Sequence, residues 1–420
     1  MKSIFSVFEY DSLEVGSKSI DGGLFTKDHR TALEHFYYNN KKKYFDLTRN
    51  GVRFCNYVGV IQVGNLQIEI LPKIDKSNDS EKKQWRNILI DMLRATGMFK
   101  VTAPSYGMLK LRDNSILELY FAIFLGELEY LIRTGLFKQY KKQAINQIAL
   151  KGAIDFPKHL SKNIVHQERF YTNTNVYNYD HIWHWIFFQT LKLIKNYSQK
   201  RAILDRAAAI ELNFPEVTDQ QISVSTFSKL HYTRKSQSYK NAIDIAQLLF
   251  SNLHPDLQAG KNSVLALMFD MNLLWERFIY SSLAKMFRQC NNGYIVTAQY
   301  PMPFWNTNNN RKDIKPDIVI QSPEGETFIL DTKWKIGSDN SPDSSDLYQL
   351  FAYSLFFQAK RTALIYPSLS KNIVPGKYLM PNLSDGNPYC DLIQLEVQPK
   401  ISDWQKKIYE EILGWMENQT

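Results

Sequence analysis

The stretch KPDIVIQSPEGETFILDTKWK, from Lys315 to Lys335, contains two apolar runs joined by a turn segment. Asp317 precedes the first run, and Asp331 and Lys333 follow the second. Strand side chains alternate between two faces, so Asp331 and Lys333 share one face of their strand. Gly325 can adopt a positive φ, which favours a tight turn in the Ser-Pro-Glu-Gly-Glu segment. A hairpin folded about this turn brings Asp317 opposite Asp331.

Two carboxylates and an ammonium group at one point suit metal-assisted hydrolysis of a phosphodiester. Carboxylates hold Mg²⁺, the metal polarises the phosphate and lowers the pKa of a bound water, and a lysine orients or activates that water. The alternative is a surface hairpin whose three charges are solvated or form ordinary ion pairs. The adjacent runs at 318–320 and 328–330 are strongly apolar. Such runs favour buried strands, where an unpaired carboxylate is costly. The sequence therefore predicts a nuclease active site.

The order of elements around the hairpin indicates a fold. A helical pattern extends from about Val264 to Cys290, and a strand candidate follows at Tyr294 to Tyr300. After the hairpin, a loop rich in Ser, Asp and Pro at 337–345 favours a helix start before DLYQLFAYSLFFQA. A further strand, RTALIYP, ends at Pro367. The series helix, three strands, helix, strand resembles the core of the PD-(D/E)xK restriction-endonuclease-like fold.

Two further side chains are candidates for the same site. In the second helix Asp346, Gln349 and Tyr353 fall on one face, so Gln349 can extend towards the carboxylates. A solvated glutamine is the alternative. Glu276, on the preceding helix, is a candidate third carboxylate, and pairing with a neighbouring Lys or Arg is its alternative.

The sequence contains three separated blocks: GVIQVGNLQIEILPKI at 59–74 with LRATGMF at 93–99, FDMNLLWERFI at 269–279, and PDIVI, LDTKWK and DLYQLFAYS between 316 and 354. Together they resemble the McrC family, the nuclease subunits of McrBC-type, modification-dependent (5-methylcytosine) restriction systems. Trp275 stands where the family usually has Phe, and LKGAIDF at 150–156 is a weaker fourth match. Nothing in about 196–239 matches.

The resemblance implies a site and a cofactor, Mg²⁺. The implied catalytic residues are Asp317, Asp331, Lys333 and Gln349, and the implied metal ligands are Asp317, Asp331, Glu276 and Thr332.

The resemblance also implies a division of labour. A partner AAA+ GTPase of McrB type forms a ring, reads modified double-stranded DNA and translocates it. In the family that the chain resembles, the McrC subunit cuts the DNA and stimulates GTP hydrolysis. Its N-terminal region inserts into the partner ring. The sequence contains no G-x-x-x-x-G-K-[ST] loop, which is consistent with a GTPase on another chain.

Composition predicts a large soluble protein. A length of 420 residues predicts two to three domains, and a net charge of +9 favours a polyanionic partner. The three cysteines are far apart, and the N-terminal apolar run is too short for a signal peptide. These features favour a reducing cytoplasm and no membrane span.

A multidomain α+β and α/β chain is expected. Residues 1–165 are predicted to form a β-rich N-terminal domain with helices that binds the partner ring. Residues 166–420 are predicted to form a helical region followed by the PD-(D/E)xK nuclease domain, with its core at about 264–400. Within the helical region His181 and His184 have a spacing that suits a metal, but the surrounding WHWIFF pattern favours packing.

Two other functions are compatible with the sequence. One is a stand-alone magnesium-dependent nuclease, for example in DNA repair, which cuts without any GTPase. The other is a non-catalytic activator of an AAA+ partner, whose hairpin is structural. The complete set of Asp317, Asp331 and Lys333 argues against the activator.

Overall fold

The computed structural model describes residues 3–19, 22–39, 43–63, 66–73, 82–97, 116–254, 264–307, 310–335, 341–379 and 387–417. The chain is a mixed α/β protein, and its contacts divide it into two compact units. The first unit joins Met1–Lys100 to Pro255–Thr420, and the second is Val101–His254.

The elements are numbered along the chain. The N-terminal segment contains β1 (Ser3–Phe8), β2 (Ser12–Glu14), α1 (Lys27–Asn39), β3 (Phe45–Thr48), β4 (Gly51–Phe54), β5 (Tyr57–Val63), β6 (Leu66–Leu71) and α2 (Lys82–Ala95). The second unit contains α3 (Ile116–Thr134), β7 (Gln139–Gln147), β8 (Ala153–Ile154), α4 (Phe156–Asn163), β9 (Phe170–Asn178), α5 (Ile182–Tyr197), α6 (Arg201–Asn213), α7 (Val224–Phe227), a 3₁₀ turn (Gln237–Tyr239), α8 (Lys240–Ser251) and β10 (Leu253–His254). The C-terminal segment contains β11 (Val264–Asp270), α9 (Met271–Cys290), β12 (Ile295–Ala298), β13 (Met302–Thr307), β14 (Asn310–Ile314), β15 (Ile318–Gln321), β16 (Thr327–Thr332), α10 (Ser344–Phe356), β17 (Arg361–Ser368), β18 (Asn372–Val374), β19 (Cys390–Glu396) and α11 (Ile401–Glu417).

A mixed sheet of the first unit contains the strand order β1-β6-β5-β11. β1 and β6 are parallel, whereas β5 pairs antiparallel with both β6 and β11. The apolar run of β5 is buried along nearly its whole length, as expected for a central strand. At Gly59 φ is +140°, and a Cβ atom there would collide with the carbonyl oxygen of Leu267 in β11. Glycine at this position therefore permits the close pairing of the two strands.

The helix predicted from Val264 to Cys290 is only partly correct. Residues Val264–Asp270 form the strand β11, and α9 begins at Met271. A continuous apolar run is compatible with a buried strand or a buried helix, so its pattern alone does not separate them. Pairing with β5 along the whole of β11 favours the strand. Asp270 then caps α9, because its carboxylate accepts a hydrogen bond from the Asn272 backbone N–H at 3.0 Å.

A second sheet of the first unit has the order β12-β15-β16-β17-β19-β18. β16, β17 and β19 are parallel, whereas β12, β15 and β16 form antiparallel neighbours. The helix α10 covers the face that carries Ile329, with Leu350 and Leu364 in the same apolar cluster. The opposite face carries Phe328, whose ring contacts Trp415 of α11. Helix α11 packs against α9, so helices cover both faces of this sheet.

The predicted order of elements is present in this unit, as α9, β12, β15, β16, α10 and β17. The hairpin of β13 and β14 is an additional element between β12 and β15. β13 ends at Thr307, and β14 begins at Asn310. Residues 308–309 lie outside the described part of the chain, as do residues 337–340 of the predicted 337–345 loop.

The second unit contains a long, largely exposed pair of antiparallel strands and a group of packed helices. β7 and β9 pair antiparallel over nine residues, and β8 also pairs with β9. These pairs cross the predicted domain boundary at residue 165, and β9 interrupts the region predicted to be helical. The boundaries of the compact units lie instead near residues 100 and 254. Pairing between segments that are distant in the sequence explains the boundaries and the strand β9. β7 pairs with β9 across residue 165, and β5 pairs with β11 although the second unit lies between them in the sequence.

His181 and His184 are packing residues, as the pattern around them predicts. The ring of His184 is fully buried; its Nδ1 lies 2.7 Å from the Tyr179 carbonyl oxygen and its Nε2 lies 3.1 Å from the Tyr239 hydroxyl. A neutral ring satisfies both contacts, with Nδ1–H donating and Nε2 accepting. Burial, followed by the nearby His181, lowers the pKa of His184 to about 3.

This burial predicts a loss of stability in mild acid. The folded pKa of His184 lies below the unfolded value of about 6.5, so the unfolded chain binds more protons between these values. Stability should be fully present above pH 6.5 and should fall by about 1.4 kcal/mol for each pH unit below it. Urea unfolding of the full chain at pH 7 and pH 5 should show a smaller difference for His184→Gln than for the unsubstituted chain. Equal pH dependence in the two proteins would contradict the expectation.

None of the described helices is both long enough and apolar enough to cross a membrane.

Candidate active site

The hairpin predicted from Lys315 to Lys335 is confirmed as β15 and β16. Its register pairs Ile318 with Leu330 and Gln321 with Thr327. Extending this register by one residue sets Asp317 opposite Asp331. Gly325, with φ +86°, lies in the turn, and its backbone N–H donates to the Ser322 carbonyl oxygen at 3.0 Å. The local sequence thus determines where the two carboxyl-bearing residues lie.

Asp317 is held by the strand that follows the turn. Its Oδ2 atom accepts hydrogen bonds from the Thr332 backbone N–H at 2.8 Å and from the Thr332 hydroxyl at 2.9 Å. Burial raises the pKa of the Asp317 carboxyl, and the two donors of Thr332 act in the opposite direction. Thr332, predicted as a metal ligand, therefore has a side chain that donates to the neighbouring carboxylate.

Asp331 is the most buried member of the site, with 1% of its surface exposed. Its Oδ2 atom lies 2.8 Å from the Nζ atom of Lys333. Burial, followed by the charge of Asp317, raises the pKa of Asp331 to about 7. The two carboxylates are therefore close enough for their charges to repel one another, and Lys333 offsets only part of this repulsion.

Lys333 lies between two carboxylates. Its Nζ atom is 3.3 Å from Asp346 Oδ1 on α10, in addition to its contact with Asp331. Burial by itself lowers the pKa of Lys333, but the charges and hydrogen bonds of Asp331 and Asp346 outweigh it and raise the pKa. Lys333 is thus a fixed ammonium group. The pairing role of Asp346 was not anticipated from the sequence, although its position on the same helical face as Gln349 was the available signal.

Gln349 reaches the site from α10, as its helical position predicts. Its Nε2 atom donates to Tyr353 Oη at 2.7 Å and lies 3.4 Å from Asp331 Oδ1. The Tyr353 hydroxyl in turn donates to the Lys315 carbonyl oxygen at 3.0 Å. The face predicted to hold Asp346, Gln349 and Tyr353 therefore does face the hairpin.

Glu276 is linked to Asp317 by a residue that the sequence did not indicate. The Gln299 side-chain amide donates to Glu276 Oε1 at 2.7 Å and to Asp317 Oδ1 at 3.3 Å. Gln299 adopts φ +50°, an uncommon conformation for a residue other than glycine. Burial, followed by the charge of Asp317, raises the pKa of Glu276. No local pattern predicts such a bridge, because it depends on three separate segments meeting.

Aromatic side chains support the strand end that carries Lys333. The Trp334 indole N–H donates to the buried carboxylate of Glu9 at 2.7 Å, and its ring lies 5.5 Å from that of Trp275. The Trp275 indole N–H donates to the Ile365 carbonyl oxygen at 3.3 Å, and the Lys333 backbone N–H donates to the same oxygen at 2.9 Å. The indole of Trp275 thus supplies a hydrogen bond beside the site that a phenylalanine could not make.

The oxygen donors fit a hard divalent cation such as Mg²⁺. In the described part of the chain no group of three or more His, Cys, Asp or Glu side chains is placed to hold a metal. Asp317 and Asp331 nevertheless offer carboxylate oxygens, and a cation between them would offset the repulsion that helps to raise the Asp331 pKa. Mg²⁺ is usually held by one or two carboxylates, with waters and substrate phosphates completing its coordination. Two carboxylates are therefore a sufficient protein contribution.

Comparison with known proteins identifies a family. A family model described as "McrBC 5-methylcytosine restriction system component" matches residues 52–367. No curated protein matches the sequence significantly.

Two solved structures share the fold at low sequence identity. One is described as a "refined half-complex from tetradecameric assembly of Thermococcus gammatolerans McrB AAA+ hexamers with bound McrC". The match has a TM-score of 0.72 and 17% identity, and covers 98% of this chain and 100% of that chain. The other is a cryo-EM structure of the Thermococcus gammatolerans McrBC complex, with a TM-score of 0.53 and 19% identity. That match covers 67% of this chain and 88% of the other.

Proposed function

The chain belongs to the family of McrBC 5-methylcytosine restriction system components, and from this membership we propose that it is the DNA-cutting subunit of such a system. It hydrolyses phosphodiester bonds with Mg²⁺, and it stimulates a partner AAA+ GTPase of McrB type that recognises and translocates modified double-stranded DNA. The observation that carries the proposal is the meeting of Asp317, Asp331 and Lys333 at the end of one buried hairpin. The order of α9, β12, β15, β16, α10 and β17 supports a PD-(D/E)xK core.

The chain's own residues have distinct parts in the reaction. Mg²⁺, when bound, supplies Lewis-acid polarisation of the phosphate and lowers the pKa of a bound water. Asp317 and Asp331 would hold it, with Thr332 keeping Asp317 in position and Gln349 beside Asp331. The ammonium group of Lys333, kept protonated by its two carboxylate neighbours, donates to a phosphate oxygen or orients the attacking water.

Glu276 has a secondary part in this scheme. Its link through Gln299 sets a third carboxylate beside Asp317. From there it can accept a hydrogen bond from a water at the site. This position suits an interaction with the metal through a water better than direct coordination.

The partner is inferred from family and fold together. The Thermococcus gammatolerans assembly is described as McrB AAA+ hexamers with bound McrC, and we extend that class of partner to this chain. An apolar surface of the second unit supports the extension. Phe156, Leu160 and Ile164 recur at intervals of four residues along α4 and just past its end, and all three are exposed. Ile148, Leu150 and Val165 nearby in the sequence are exposed as well. Exposed apolar clusters of this kind usually mark protein interfaces.

The proposal predicts that cleavage requires every component. The full chain, a McrB-type GTPase, GTP, Mg²⁺ and a plasmid carrying 5-methylcytosine should together give linear DNA and a raised GTPase rate. Omission of the GTPase or GTP, or addition of EDTA, should stop cleavage. Cutting by the chain alone with Mg²⁺ would favour a stand-alone nuclease. A raised GTPase rate with no cutting of any methylated plasmid would favour a non-catalytic activator.

A further inference from the structure

The two strands β13 (Met302–Thr307) and β14 (Asn310–Ile314) present most of their side chains to solvent, and we refer to them as the β13–β14 arm. Every described residue from Pro303 to Asp313 is exposed. The chain leaves the arm through Lys315 and Pro316 and enters the site at Asp317. The arm is therefore continuous with the strand that carries the first carboxylate.

The arm combines aromatic and cationic side chains. The register of its strands pairs Trp305 with Lys312, so the two residues lie side by side on one face. Half of the Trp305 surface is exposed, although indole rings are usually buried in a protein that has no partner at that surface. The arm and the residue after it carry three cations, Arg311, Lys312 and Lys315, against the single carboxylate of Asp313, which is paired with Arg311.

The electrostatics of the neighbouring site explain why cations are useful here. Asp317, Asp331, Glu276 and Asp346 lie together, and Lys333 and Lys335 offset only part of their charge. Such a group repels the phosphates of DNA. Cations beside the group can hold the backbone while the reacting phosphate enters the site.

The length of the segment fits contact with the same DNA molecule. Lys312 precedes Asp317 by five residues, and five residues span at most about 18 Å. Successive phosphates of one strand rise about 3.4 Å along the DNA axis, so Lys312 lies within about five nucleotides of the cut. Lysine contacts phosphates without regard to sequence, and an exposed aromatic ring can pack against the sugars of the duplex backbone.

We propose that the β13–β14 arm is a DNA-binding element, in which Lys312 contacts the phosphates of the duplex and Trp305 packs against the backbone sugars beside the cutting site. This inference rests on the proposed function, because it takes DNA as the substrate of the adjacent site. The exposed Asn306 and Asn310 and the net positive charge of the arm favour nucleic acid over an apolar protein partner.

The test is binding of a fluorescein-labelled DNA duplex to the full chain by fluorescence anisotropy, in EDTA and at several salt concentrations. Lys312→Ala should weaken binding roughly three- to tenfold and reduce the slope of log K against log salt by about 0.9, the value for one lost phosphate contact. Trp305→Ala should weaken binding severalfold with an unchanged slope, because loss of packing against a sugar releases no counterions. Trp305→Phe should restore most of the affinity.

The matched control is Lys406→Ala, an exposed lysine on α11, which should leave both affinity and slope unchanged. Binding equal to that of the unsubstituted chain for both arm variants would overturn the proposal, as would failure of the unsubstituted chain to bind the duplex. Weaker binding of the McrB-type GTPase, with no change in DNA affinity, would assign the arm to a protein partner and would also overturn it. A chain that binds through the arm but cuts no DNA in the complete system would leave this inference standing and refute the proposed function.

Discussion

Asp331→Asn should lower the rate of DNA cleavage by about a thousandfold or more, measured on methylated plasmid with Mg²⁺, GTP and the partner present. Loss of a metal-binding carboxylate removes Lewis-acid assistance worth several kcal/mol, and about 1.4 kcal/mol corresponds to each factor of ten. Asp317→Ala and Lys333→Ala should have the same direction of effect. Stimulation of the partner GTPase should survive in all three variants.

The same substitution should not destabilise the fold. Burial and the charge of Asp317 raise the Asp331 pKa to about 7, so a neutral side chain of the same shape relieves a cost at pH 7. Asp391 offers a matched contrast in β19 of the same sheet, since its carboxylate accepts hydrogen bonds from Arg361 and Trp415 at 2.7 Å. Asp391→Asn should lower the free energy of unfolding by about 3 kcal/mol, because it breaks a buried ion pair. Near-normal cleavage by Asp331→Asn, or equal loss of stability in both variants, would refute the assigned roles.

The double substitution Leu160→Glu with Ile164→Glu should raise the concentration of this chain that is required to stimulate the partner GTPase by at least about a hundredfold. Burying each of these side chains in an interface contributes about 1.5–3 kcal/mol, and a buried unpaired carboxylate adds a further penalty. The two side chains are 63% and 72% exposed in the isolated chain, so the fold should tolerate the change. DNA cleavage should fall in parallel, because the proposed function assigns delivery of the DNA to the partner.

Leu212→Glu is the control for this surface. Leu212 belongs to the same unit and is 87% exposed, but it lies on α6, outside the exposed apolar stripe of α4. The substitution Leu212→Glu should leave unchanged the concentration of this chain that is required to stimulate the partner GTPase. Equal titrations for the double variant and the unsubstituted chain would remove the α4 surface from the partner interface.

Much of the candidate site was accessible from the sequence, because its geometry is local. The turn at Gly325 and the alternation of β15 and β16 are enough to bring Asp317 and Asp331 together. Helical periodicity was enough to direct Gln349 towards the hairpin. The roles of these residues in catalysis remain predictions.

The features that sequence reasoning missed depend on contacts between distant segments. β11 is apolar at almost every position, and only its pairing with β5 makes it a strand. The bridge formed by Gln299 requires α9, β12 and β15 to meet, and its positive φ has no sequence signal. The compact units follow from pairing across the chain, which a reading of local composition does not detect.

The pairing of β5 with β11 has a consequence for the order in which the protein is made. About 200 residues separate Val63 from Val264, so at ribosomal rates of about 5–20 residues per second the second edge of β5 waits roughly 10–40 s for its partner. The intervening segment, 101–254, is complete before that moment and can fold co-translationally. The hairpin of β15 and β16 emerges later still, so a nascent or prematurely terminated chain lacks Asp317, Asp331 and Lys333. Such a chain also leaves the apolar edge of β5 uncovered, which makes it a substrate for chaperones and proteases.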